Sequence, residues 1–233
     1  MIDEETIFEY EMKKSLLLYS GGLDTTTILY TLLDEGIPVK CLIYNYGQQA
    51  QKEVEYAIKN CEKLNVDYEV MDLTSLNISG DLGPGGNIRS KTSIIIPNRN
   101  SIFLAIATNY AIQNGCEVIY IGSKIGAEAC YDEKYDFIEK YNELNEVSDI
   151  KYIPIKAPLI YYDTLDVLDI ALELNVPLID TWSCFGGKDE RCGECKNCTS
   201  IPEIISMKQD ELLKQINNLR KYKDSFPRFE SKE

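Results

Sequence analysis

A strand that runs into two glycines and then into a helix constrains this chain more than any other feature. Residues 15–19, Ser-Leu-Leu-Leu-Tyr, form an apolar run of buried-strand type, and Ser20, Gly21, Gly22, Leu23, Asp24, Thr25 and Thr26 follow at once. Glycine accepts positive φ and lets the backbone come close to a ligand, so Gly21 and Gly22 can present amides to an anion. The helix that starts here aims the positive end of its dipole at the same place. The hydroxyls of Ser20, Thr25 and Thr26 add donors around a phosphate or pyrophosphate. Two glycines alone would fit an ordinary βα turn; the strand, Asp24 and the hydroxyl cluster together favour a nucleotide site. No Gly-Lys-Ser/Thr closes the loop, and the third glycine of a dinucleotide fingerprint is absent.

The pattern along the chain alternates. Strands are predicted at 15–19, 39–44, 67–72 and 117–121, and helices at 25–35, 48–64, 101–114, 132–145 and 164–174. Gly36-Ile37-Pro38 and Asn114-Gly115 read as helix stops. Such alternation predicts an α/β fold, a doubly wound and mostly parallel sheet with right-handed crossovers. Ligands of that architecture sit beyond the carboxyl ends of the strands, where the loop at Ser20 falls. There is no internal repeat. Residues 73–97 break the pattern around Gly80, Gly83, Pro84, Gly85 and Gly86. An irregular stretch this long is usually functional, and a lid over nucleotide or substrate is the preferred reading, with a surface excursion as the alternative. The tail from Pro202 begins as an amphipathic helix and ends in charge, able to pack on the domain or on a second subunit. Two units are therefore expected: residues 1–180, and a small cysteine-bearing segment with the tail at 181–233.

The chain has 233 residues, room for one sizeable α/β domain, and a formal charge of −14 without a single histidine. That balance argues against extensive nucleic-acid contact, which needs clustered cations. Lacking histidine, the chain must leave acid–base work to Asp, Glu, Lys, Tyr or the substrate. No apolar run approaches a membrane span, and the acidic start at Met1 does not read as a signal peptide, so a cytoplasmic protein with no membrane partner is expected.

Of the eight cysteines, Cys41, Cys61, Cys116 and Cys130 are scattered and read as small buried hydrophobes. Cys184, Cys192, Cys195 and Cys198 are packed into one loop-rich segment. Tetrahedral zinc takes four thiolates, so structural Zn²⁺ is the leading reading and an iron–sulfur cluster its main rival. Disulfides come third in a reducing compartment, and a redox pair is disfavoured for want of a thioredoxin-like setting. Gly186, Gly187 and Gly193 would let the chain wrap the ion, and Lys188, Arg191 and Lys196 would offset its thiolates.

The loop Ser20–Thr26 resembles the Ser-Gly-Gly-x-Asp-Ser/Thr loop of the N-type ATP pyrophosphatases, the PP-loop or adenine nucleotide alpha hydrolase-like proteins. Together with Tyr46-Gly47-Gln48, Pro97-Asn98-Arg99-Asn100 and Thr181-Trp182-Ser183-Cys184 leading into the cysteine cluster, it makes nearly the whole chain similar to the 7-cyano-7-deazaguanine synthase (QueC-like) family. The resemblance implies a ligase of the queuosine pathway that uses ATP with Mg²⁺, forms AMP and pyrophosphate, and turns 7-carboxy-7-deazaguanine and ammonia into the nitrile, preQ0. It implies that Ser20 to Thr26 hold the pyrophosphate, with Ser20 and Asp24 nearest the chemistry. Asp24 would support magnesium or the loop, or cap the helix. Arg99 would meet phosphate or a substrate carboxylate, or make a salt bridge at a helix start. Tyr46 and Gln48 would read a nucleobase edge, Tyr46 having packing as its alternative, and Asn100, Asp132 and Lys134 would line the substrate. A homodimer is expected.

Two departures stand out. The family has Gly-Gln-Arg-His where this chain has Gly47-Gln48-Gln49-Ala50, and Gly-Tyr-Pro-Asp-Cys-Arg where it has Ala129-Cys130-Tyr131-Asp132-Glu133-Lys134. Lysine does not reproduce a bidentate arginine contact. A second reading is therefore a relative that joins the activated deazapurine carboxylate to a protein or another amine, as synthase-like members of anti-phage gene clusters would. A tRNA thiolase and a non-catalytic zinc module rank below both.

Overall fold

The apolar run after Lys14 forms β1 (Ser15–Leu18), which donates and accepts in register with β2 (Val39–Asn45) on one side and β4 (Val118–Tyr120) on the other. With β3 (Asp67–Asp72) and β5 (Ile155–Lys156) these make a five-stranded, wholly parallel sheet in the order β3-β2-β1-β4-β5. The computed structural model describes residues 14–84, 86, 95–124, 130–148, 151–186, 190–193, 195, 197 and 198. The tail from 201 onward, Ala129, Gly187, Lys188 and Lys196 lie outside the described residues, as do the expectations placed on them.

Strand alternation makes the two faces. Leu16, Leu42, Tyr44 and Ile119 pack against Leu104, Ala107 and Ala111 of α3 (Arg99–Gln113) and Ile138 of α4 (Tyr135–Ser148). Leu17, Cys41 and Ile43 face the other way, against α1 (Leu23–Asp34), α2 (Lys52–Leu64) and α5 (Thr164–Glu173). Successive side chains of a strand point to opposite faces, so a sheet covered on both sides needs near-continuous apolar strands. The doubly wound architecture is as expected. Because β2 and β4 flank β1, the strand order reverses at β1, and the crevice beyond β1 and β4 is the topological switch point.

Several element boundaries differ from expectation, and three helix starts do so for a local reason. Helix α2 starts at Lys52 rather than 48, because the Gln48 amide bonds back into the strand: it accepts from the Tyr46 N–H at 3.0 Å and donates to Tyr44 O at 3.1 Å. Helix α4 starts at Tyr135 rather than 132, since residues 131–133 form a 3-10 turn whose Asp132 carboxylate accepts the Asn100 N–H at 2.9 Å. That bond also lets α3 begin at Arg99, two residues early. Strand β5 was not anticipated: with two residues it has no periodicity to read.

Within the stretch expected to form a lid, Thr74–Leu76 make one 3-10 turn, and Ile78 and Ile96 are buried in the core. Asp81 closes the base, its N–H donating to Ile95 O and its carboxylate accepting the Ile95 N–H, both at 3.0 Å. Gln49, where the family pattern has arginine, donates its amide to Asp81 O at 3.0 Å and Gly86 O at 2.7 Å. Residues 85 and 87–94 lie outside the described set.

Candidate active site

The loop leaves β1 at its carboxyl end. Gly21 takes φ +75°, and Gly22 is the N-cap of α1 with no side chain bonding to the first turn. A helix start whose amides no side chain satisfies is an open anion site. Ser20 and Thr25 brace the loop: their hydroxyls lie 3.1 Å apart, the Ser20 N–H donates to Thr25 Oγ1 at 3.3 Å, and the Gly22 N–H to Ser20 Oγ at 3.3 Å. Thr26 is fully buried behind the loop, its hydroxyl 3.1 Å from that of Tyr19, to which Asn60 Nδ2 donates at 3.0 Å. Burial raises the Tyr19 phenol well above its ordinary range, so it stays protonated. Leu23 packs into the core.

Asp24 lies inside the first turn of α1, so the capping role open to it in sequence is not the one it plays. Its Oδ1 accepts a hydrogen bond from Lys124 Nζ at 2.8 Å, and the same ammonium donates to Thr164 Oγ1 at 3.0 Å. Lys124 follows β4, and the chain arrives through Gly122, where an added Cβ would stand 2.7 Å from Thr25 Cγ2. Nothing in the sequence singles out Lys124, because its partners lie 100 and 40 residues away.

A second polar group gathers residues from three segments. Arg99 Nη2 donates to Glu133 Oε1 at 2.9 Å, and the guanidinium also bonds the Tyr46 hydroxyl. Asn100 holds Asp132 through its own N–H and through Nδ2 on Asp132 O at 2.8 Å. Tyr46 is buried, its ring 5.3 Å from that of Phe103. Gln48 is 4 % exposed with its amide engaged by backbone. Lys134 stands apart: it is exposed, with Nζ 4.3 Å from the Tyr131 ring centroid. A groove of about 580 Å³ along α4 and β5, lined by Tyr135, Glu139 and Lys156, shares no residue with the loop or with this group.

Glu53, like Lys124 and Glu133, carries no signal in the sequence that marks it for the site. In the first turn of α2 it is half-buried, and its backbone oxygen and the Ala57 nitrogen would each lie 2.7 Å from a Cβ at Gly21. Burial pushes its carboxyl up to about 8, the Arg99 charge opposing that shift. Burial also raises Glu133. Between 4.5 and about 8 the folded chain keeps a proton on Glu53 that the unfolded chain releases. Stability should therefore be greatest at the acid side of that window and fall as pH rises through it. Denaturant unfolding of wild type and Glu53→Gln across this range checks it: the variant should show a shallower fall, and an identical slope refutes the assignment.

The four late cysteines converge. The Sγ atoms of Cys184, Cys192, Cys195 and Cys198 all lie within 4.8 Å of one another, with Cys192 and Cys198 at 3.9 Å. Thiolates about 2.3 Å from a tetrahedral ion would be roughly 3.8 Å apart, so the set fits a metal centre. Backbone amides support the sulfurs: Cys192 N–H donates to Cys184 Sγ at 3.2 Å and Cys195 N–H to Cys192 Sγ at 3.4 Å. Burial pushes the Cys198 thiol up to about 12, with the Cys184 and Cys195 sulfurs adding to it. Trp182 ties the centre to the loop, its N–H donating to Gly21 O at 2.9 Å and its ring packing on Tyr56 at 5.3 Å. Arg191 lies 5.4 Å from the Trp182 ring and donates to Thr181 O at 3.1 Å.

This chain, with an uncapped helix start at a switch point, a polar group near it and four cysteines placed to hold a metal ion, is a nucleotide-using enzyme of the ATP-dependent ligase class. The family model of queuosine biosynthesis protein QueC matches residues 14–202, and this chain belongs to that family. The 7-cyano-7-deazaguanine synthase of Hahella chejuensis is 32% identical over 203 residues, covering 82% of this chain and 88% of the relative. That of Caldicellulosiruptor saccharolyticus is 32% identical over 206 residues, covering 82% and 90%. Among solved structures, the U34-tRNA thiolase NcsA of Methanococcus maripaludis with its 4Fe–4S cluster aligns at a TM-score of 0.47, with 18% identity over 88% of this chain and 67% of that one. No helix of the described residues is long and apolar enough to cross a membrane.

Proposed function

We propose that this chain uses ATP to activate 7-carboxy-7-deazaguanine and aminates it to 7-cyano-7-deazaguanine. The observation that carries the reading is the open helix start at Gly22, lying at the switch point of a chain matched to the QueC family over residues 14–202. A carboxylate is a poor electrophile until one oxygen attacks the ATP α-phosphate and pyrophosphate leaves. Gly21, Gly22 and the hydroxyl of Ser20 receive that pyrophosphate, fixed dipoles standing where charge develops. Ammonia then adds to the acyl carbon and AMP departs, giving the amide. Attack of the amide oxygen on a second ATP releases pyrophosphate, and loss of AMP with a proton leaves the nitrile.

Magnesium would arrive with the phosphates and offset their charge, Asp24 being the carboxylate the loop supplies to hold it. Zinc, bound by Cys184, Cys192, Cys195 and Cys198, would fix the segment that Trp182 joins to the loop, with no open position for chemistry. Arg99, Asn100 and Asp132, with Tyr46 and Gln48 shaping the wall, would hold the deazaguanine, and Lys134 lies at its rim. We take residues 1–180 as the catalytic unit, 181–233 as its metal-bearing support, and the working form as a cytoplasmic homodimer, which light scattering tests.

One observation favours a second reading. Where the family pattern ends in arginine, Lys134 lies over Tyr131, itself 79% exposed, so this wall is open. An open wall suits a larger amine acceptor such as a protein terminus. Incubating the enzyme with ATP, 7-carboxy-7-deazaguanine and ammonium, then weighing the products, decides: nitrile with AMP is expected. Amide that goes no further, or turnover that waits for a protein acceptor, overturns the first reading in favour of the second.

A further inference from the structure

We propose that Lys124 is a pyrophosphate-binding residue: its ammonium, held at the first turn of α1, pairs directly with the anion that the loop 20–26 receives. The inference rests on the reading of that loop as the ATP site. Lys124 follows β4, which adjoins β1 in the sheet, so it enters the switch-point crevice from the side opposite the β2 end. Two of its three donors are placed, on Asp24 Oδ1 at 2.8 Å and Thr164 Oγ1 at 3.0 Å, and the third has no partner among the described residues.

The pair with Asp24 is part-buried but open to solvent. Its side chains are 21% and 31% exposed, so an anion entering from solvent can reach the ammonium. The surroundings are acidic: Asp24, Glu133 and Asp163 all feel the Lys124 charge. A multiply charged anion entering among these carboxylates needs a protein cation beside any magnesium it brings, and the Arg99 guanidinium is engaged by Glu133 and Tyr46. An ammonium on a flexible stem suits the task, since it can exchange a carboxylate oxygen for a phosphate oxygen by turning its terminal bonds.

Calorimetric titration of the full-length protein with inorganic pyrophosphate, and separately with AMP, tests this. Lys124→Met should bind pyrophosphate about tenfold to a hundredfold more weakly, the range for losing a charged hydrogen bond, while AMP affinity changes far less. Lys124→Arg should keep most of the affinity. The double variant Asp24→Asn, Lys124→Met should stay as far below Asp24→Asn as the single variant stays below wild type. Unchanged pyrophosphate binding in Lys124→Met overturns the proposal, and so does recovery in the double variant, which would make the lysine only a neutraliser of Asp24. Wild-type protein that binds neither pyrophosphate nor ATP overturns the reading of the loop itself. Circular dichroism and melting of each variant confirm that a loss is not unfolding.

Discussion

Stripping the metal from this protein is expected to weaken its hold on ATP, although none of the four cysteines lies in the phosphate loop. The link is Trp182. Its N–H donates to Gly21 O at 2.9 Å, its carbonyl oxygen is 3.6 Å from where a Cβ at Gly22 would stand, and its indole N–H donates to Cys184 O at 2.9 Å. Cys184 is buried and is the first of the four cysteines placed to hold a metal ion, so the residue that fixes the loop is tied to that cluster. The cluster has a small core of its own, Trp182, Cys184 and Cys195 with Tyr56 and Phe185 against it. So few apolar groups do not hold a loop-rich segment without the ion. A metal at a thousandfold its dissociation constant stabilises a chain by about 4 kcal/mol. For a chain of this size that is roughly 8–16 °C in Tm. Cys195→Ser, or chelator treatment, should therefore lower Tm by that order, open residues 181–198 to protease and raise the Kd for ATP. Metal analysis by mass spectrometry, which also separates zinc from iron, must show the loss. Metal-free protein with unchanged Tm and ATP affinity refutes the coupling.

How much of this was legible in the sequence depends on whether a feature is local. Strands β1 and β2 and the loop at Ser20 were visible because a buried parallel strand is a largely continuous apolar run and the glycines follow β1 directly. The cysteine centre was visible for the same reason: its ligands lie within 15 residues, Cys184 to Cys198, and thiolates at CxxC spacing have few other uses. The ion pair of Asp24 with Lys124 was invisible, since topology rather than pattern places β4 beside β1. Glu53 looked like an ordinary acid in the first turn of an amphipathic helix, and only the approach of that turn to Gly21 and Arg99 removes it from solvent. Gln48 misled for a subtler reason. A glutamine before an apolar-periodic run favours a helix start, yet its amide found a better partner in the backbone of the strand just ended. Glu133 was read past because the resemblance directed attention to Asp132 and Lys134 on either side, although it is Glu133 that takes Arg99.

Gly21→Ala should abolish most turnover, and a second glycine supplies the control. Gly21 sits at φ +75°, and an added Cβ would lie 2.7 Å from both Ala57 N and Glu53 O. Those are backbone atoms inside α2, so no side chain can swing aside to make room. Either the loop must retreat from the crevice or α2 must move, and α2 is held by Cys61 and Ala57 in the core and by Asn60 on Tyr19 and Asp180. The loop yields first. Its amides then miss the pyrophosphate, and displacement of about 1 Å in a positioned group costs on the order of a hundredfold in rate. Gly36 has nearly the same backbone, φ +70°, but nothing within 4 Å of its added Cβ. Gly36→Ala meets only the left-handed penalty of about 1–2 kcal/mol and leaves the active site alone. Steady-state release of AMP and thermal melting on both variants separate space from conformation. Gly21→Ala should lose about a hundredfold or more in kcat/KM for ATP with a comparable loss of stability, and Gly36→Ala should lose stability without loss of rate. Equal activities would mean that the contact with α2 does not position the loop, and the close approach of Glu53 to Gly21 would then have no part in catalysis.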